Sequence, residues 1–66
     1  MTTHKKIEVV GGSEASFGKA VSNAVAKATE TLHGLSWFEV TELRGRIKDG
    51  QVSQYQATLK LGVKLD

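Results

Sequence analysis

Trp37, Arg44, Arg46 and Gln56 are side chains whose types suit a planar ligand with a polar edge and a charged tail. An indole stacks on flat, electron-poor rings. A glutamine amide presents a donor and an acceptor side by side, which matches a ring edge that carries both. Guanidinium groups bind phosphate through paired hydrogen bonds. Each residue also has an ordinary alternative. A tryptophan on an outer sheet face is most often covered by a partner chain. Gln56 on a polar strand face resembles its solvated neighbour Gln54. Arg44 and Arg46 can pair with Glu39, Glu42 or a neighbouring chain.

These side chains need elements to place them. Residues 5–10 alternate and are rich in β-branched types, so they read as a strand that Gly11-Gly12 ends. Ser13 is the expected helix cap, with Glu14 in the first turn. Phe17, Val21, Ala24, Val25, Ala28 and Leu32 form one apolar stripe at helical spacing, with Phe17 assigned to the core. Gly34 is the expected stop. Strands over 35–48 and 51–65 follow, joined by Asp49-Gly50, a strong hairpin signal. The order β-α-β-β predicts an α+β protomer: a three-stranded antiparallel sheet with one helix packed across one face.

Parity refines the sheet. In the last strand Tyr55, Ala57, Leu59, Leu61, Val63 and Leu65 share an apolar face for the helix to cover. In the preceding strand Phe38 and Val40 alternate out of step with Leu43 and Ile47. One extra residue near Thr41 repairs this, so a β-bulge is expected between Val40 and Leu43. Trp37, Glu39, Glu42, Arg44 and Arg46 then face away from the helix with Gln54 and Gln56. A strict two-residue hairpin loop would oppose Leu43 to Gln56, so a three-residue loop or a glycine bulge at Gly50 is expected. Arg44 then opposes Gln56, and Trp37 opposes Gly62. Trp37 and Gln56 of one chain lie about 20 Å apart in this register. A single ring that uses both must take them from different subunits.

Composition narrows the function. Sixty-six residues make one small domain, 1–66, with little core of its own. There is no cysteine, and His4 and His33 lack ligand spacing, so neither disulfides nor a metal site is expected. Self-association is the remaining stabilising device. No serine–histidine–acid set and no paired catalytic carboxylates stand out, so an enzyme is not expected. A net charge of +2 suits a phosphate-bearing small ligand without announcing nucleic acid. No apolar run reaches membrane-spanning length and no signal-peptide stretch opens the chain, so a cytoplasmic location without membrane attachment is expected. Two further classes stand beside small-ligand binding: a single-stranded nucleic-acid module on the outer sheet face, and a purely structural self-assembling module.

Two segments, LSWFEVTELRG over 35–45 and VSQYQATLKLG over 52–62, resemble the dodecin family, and the likeness extends over nearly the whole chain. The resemblance implies assembly as a hollow, cubic-symmetric dodecamer of identical chains. It implies flavin bound between subunits, with paired isoalloxazine rings stacked between tryptophans. Trp37 matches that tryptophan, and Gln56 matches the glutamine that hydrogen-bonds the polar flavin edge. Glu42 falls where the family carries an acid near the tryptophan. The implied role is storage and protection, since an indole stacked on an excited flavin quenches it by electron donation. Arg44 and Arg46 favour flavin mononucleotide (FMN), with riboflavin or flavin adenine dinucleotide (FAD) as alternatives. Coenzyme A stays open as a further ligand.

Overall fold

The computed structural model describes residues 2–65; residues 1 and 66 of the expected domain lie outside the described residues. The elements follow the expected order: β1 (His4–Ser13), α1 (Phe17–Thr29), β2 (Leu35–Lys48) and β3 (Gln51–Lys64). The three strands form one antiparallel sheet in the order β1-β3-β2. β3 is central, and its Ala57, Leu59, Leu61 and Val63 are all buried under the helix. Ala20, Ala24 and Ala28 recur every four residues along the buried stripe of α1. Their small side chains let the helix lie close to the sheet.

That close approach explains Gly11. A methyl there would stand 2.6 Å from the Ala24 Cβ and overlap the Ala20 carbonyl. Gly11-Gly12 therefore does not end β1, which continues to Ser13; the missing side chains admit the helix instead. The helix starts later than expected for the same reason. Ser16 caps it, accepting from the Lys19 N–H at 3.0 Å, while Ser13 accepts from the Ala15 N–H in the preceding turn. Glu14 consequently lies outside the first helical turn. The helix ends at Thr29, before the expected stop, and the Gly34 carbonyl accepts from the Lys64 N–H at 2.8 Å. Phe17 is not core. It opens the helix at the margin of the layered region, is 37% exposed, and meets Tyr55 edge-on with ring centroids 5.0 Å apart.

The expected bulge lies between Val40 and Glu42, leaving Thr41 as the extra residue. Its hydroxyl donates to the Thr58 carbonyl at 3.3 Å, which satisfies an acceptor that the interrupted ladder leaves open. The hairpin differs from expectation. Lys48 pairs with Gln51, so the loop is the strict two-residue Asp49-Gly50, with φ of 53° and 74°. Asp and Gly both tolerate the left-handed region, and the type I′ turn suits the strand twist. Parity is restored beyond the turn instead. Arg46 opposes Gln54 while Ile47 opposes Val52, so Ser53 is the extra residue, and its hydroxyl donates to the Arg46 carbonyl at 3.3 Å. A third irregularity, not foreseen, places Ser36 between the Leu35 and Trp37 pairings.

The helix packs on β1 and β3 and hardly meets β2. Phe38, Val40, Leu43 and Ile47 therefore point to the helix side without being covered; Ile47 is 76% exposed. Leu65, expected beneath the helix, is exposed as well.

Candidate functional site

Trp37 pairs with Gly62 across the β2–β3 ladder, on the face without the helix. A side chain at 62 would collide with the ring: a Cβ there would lie 2.5 Å from both Cδ2 and Cζ2 of the indole. The fused bond of the indole therefore lies over bare backbone, and the ring stretches across β3 toward β1. There it meets His4, with ring centroids 5.8 Å apart at 46°, and Lys6, whose Nζ lies 5.8 Å from the ring centroid. The indole remains 42% exposed, so one face rests on the sheet and the other is available. His4 is half-buried beside it. Neither His4 nor Lys6 was picked out from sequence. The signal was present in β1, because its register against β3 sets Lys6 opposite Gly62.

Charge near the ring is balanced. Lys6 donates to Glu39 Oε1 at 2.7 Å. That hydrogen bond, the Lys6 charge and the more distant Lys60 hold the Glu39 carboxyl below its ordinary value. Glu39 is thus engaged by Lys6, not by either arginine.

A second polar group stands farther along the same face. Arg44 opposes Gln56, as parity required. Arg44 Nε donates to Gln56 Oε1 at 2.9 Å, and Gln56 Nε2 donates to Gln54 Oε1 at 3.2 Å. Arg44 Nη1 also donates to Glu42 Oε1 at 3.4 Å, and the Thr58 hydroxyl donates to the same oxygen at 3.4 Å. An arginine donates only, so its bond to Oε1 fixes which way the Gln56 amide turns. The amide keeps a lone pair on Oε1 and one free N–H, which suits an edge where a carbonyl stands beside an N–H. Arg46 lies at the next rung, opposite Gln54, and has no carboxylate within 4.0 Å among the described residues.

The structure brings Glu42, Arg44 and Gln56 together and sets Trp37 apart from them. Six β3 positions separate Gly62 from Gln56, about 20 Å along a strand. One ring cannot touch Trp37 and Gln56 of a single chain.

Comparison with known proteins bears on this arrangement. The family model described as Dodecin matches residues 3–66. A curated dodecin from Thermus thermophilus is 44% identical over 63 residues, covering 96% of this chain and 91% of that protein. The solved structure of dodecin from Streptomyces coelicolor superposes with a TM-score of 0.93 at 51% identity, covering 98% of this chain and 93% of the other. Dodecin from Streptomyces davaonensis gives a TM-score of 0.93 at 42% identity, covering 98% and 96% respectively.

Proposed function

This chain belongs to the dodecin family of small flavin-binding proteins, and from that premise we propose that it sequesters flavin without turnover, at seams between identical subunits. The observation that carries the reading is the indole of Trp37 lying over Gly62 with its outer face open. An isoalloxazine ring stacks on that face, gaining dispersion and quadrupole complementarity. Gln56 of a second subunit meets the polar flavin edge, carbonyl to N–H and N–H to carbonyl. Arg44 and Glu42 orient that amide. Arg46, without a carboxylate partner among the described residues, meets the phosphate and favours FMN over riboflavin and FAD. Excitation of the bound ring is dissipated by electron donation from the indole, so the flavin is protected from its own photochemistry.

The assembly we propose is the hollow dodecamer, twelve 7.1 kDa chains with a mass of about 85 kDa. Among the described residues no helix is long and apolar enough to cross a membrane. The cytoplasm, where free flavins are made and used, is the proposed location.

Titrating FMN, riboflavin, FAD and coenzyme A into flavin-free protein tests the reading. Flavin fluorescence is expected to fall on binding and to return on denaturation, with FMN tightest among the flavins. Trp37→Ala should weaken FMN by tenfold or more while light scattering reports an unchanged mass. Protein that never quenches added flavin would overturn the proposal.

A further inference from the structure

Arg44, Arg46 and Lys48 stand at alternate positions on the open face of β2, about 7 Å apart. Three of the nine lysines and arginines have a carboxylate within 4.0 Å among the described residues: Arg44 with Glu42, Lys6 with Glu39 and, on the helix, Lys27 with Glu30. Arg46 and Lys48 belong to the others and are neighbours on one strand face. Neither has a carboxylate within 4.0 Å among the described residues, and both line one cleft of about 320 Å³ with Glu14, Ser53 and Gln54. Two adjacent like charges repel, and a doubly negative group seated between them converts that repulsion into two attractions.

The remaining walls suit such a group. Gln54 Oε1 is already engaged by Gln56 Nε2, so the Gln54 amide has N–H left to donate. Its Nε2 lies over Gly12, 3.1 Å from where a Cβ would stand, and the missing side chain keeps that end open. The Ser53 hydroxyl donates to the Arg46 carbonyl, tying the bulged backbone to the strand that carries both cations. Glu14 is the acid of the lining, and among the described residues no ion pair joins it to either cation.

We propose that Arg46 and Lys48, with Gln54 as a third donor, form a subsite for a phosphomonoester dianion. The proposal rests on the flavin reading for one of its two sources. The cleft begins one rung, about 7 Å, from the Gln56 pair, within reach of the phosphate of a flavin held there. A free phosphate ester is the other source. Lys48 thereby becomes a specificity residue that sequence reading left unused.

Binding of FMN and riboflavin is measured at constant ionic strength, with and without inorganic phosphate, for the native assembly, Lys48→Gln and Lys48→Arg. Line broadening of the phosphorus resonance of inorganic phosphate is recorded for the same proteins. The expected result is an FMN affinity reduced about tenfold by Lys48→Gln, largely restored by Lys48→Arg, and unchanged riboflavin binding. Inorganic phosphate should compete with FMN and not with riboflavin. Broadening by the native protein that Lys48→Gln abolishes, without an FMN advantage over riboflavin, supports the subsite with a free ester as its source. The same broadening in a protein that binds neither flavin sinks the flavin reading and leaves the subsite standing. An FMN advantage that survives Lys48→Gln intact, or phosphate broadening identical in all three proteins, overturns the subsite.

Discussion

Gly62 is the residue on which the orientation of Trp37 turns. It was legible in the sequence because parity alone opposed it to Trp37, and the structure adds why nothing larger fits. Gly62→Ala is expected to lift the indole off the sheet, shift its emission and weaken FMN about as much as losing the ring does; emission spectra and flavin titration check this. His4 and Lys6 were not legible because parity sets only the β3 partner of Trp37, whereas the indole reaches across to β1. The Lys6–Glu39 pair makes a separate prediction. Glu39 titrates below the ordinary glutamate value, so the pair stabilises the fold above that value, and the contribution fades as pH falls through the lowered one. Both groups are exposed and screened by salt, so the effect on stability is small. Lys6→Ala should move the Glu39 titration back up, as read by carboxyl carbon NMR shifts.

The elements show where periodicity informs and where it does not. The mismatch between Val40 and Leu43 located one bulge, since a face that changes parity requires an inserted residue. The hairpin needed a second insertion, but parity counts residues without saying which one is extra, and Ser53 took the place expected of Gly50. Helix capping failed in a related way. Ser13 and Ser16 are equivalent as residue types, and the choice depends on how far β1 runs once Gly11 lets the helix close over it. Ser16→Ala should lower stability by about 1 kcal/mol, and Ser13→Ala by clearly less, in chemical denaturation. Deleting Thr41 removes the bulge and forces residues on one side of it to exchange faces. Loss of flavin quenching with strand content retained by circular dichroism is the expected result.

The whole chain measures 50 × 20 × 13 Å, with a radius of gyration of 13.5 Å against about 11 Å for a compact domain of this length. Its accessible surface, 4725 Å², exceeds the roughly 4,100 Å² of an average folded monomer of 7.1 kDa. The excess sits where Phe38, Val40, Leu43 and Ile47 face the helix side of β2 without a helix over them. Sequence pattern identified these as the apolar side, but alternation cannot say whether the cover comes from the same chain or another. Leu43→Glu places a charge in that row and should dissociate the proposed assembly, with light scattering reporting the lower mass. The hairpin that carries Gln56, Arg46 and Lys48 runs out past the helix as a single layer of sheet. In a lone chain its amides would have water on both sides and only ladder bonds to slow their exchange with deuterium. Protection factors along this arm, rather than those of the helix, therefore measure how tightly neighbouring copies grip one another.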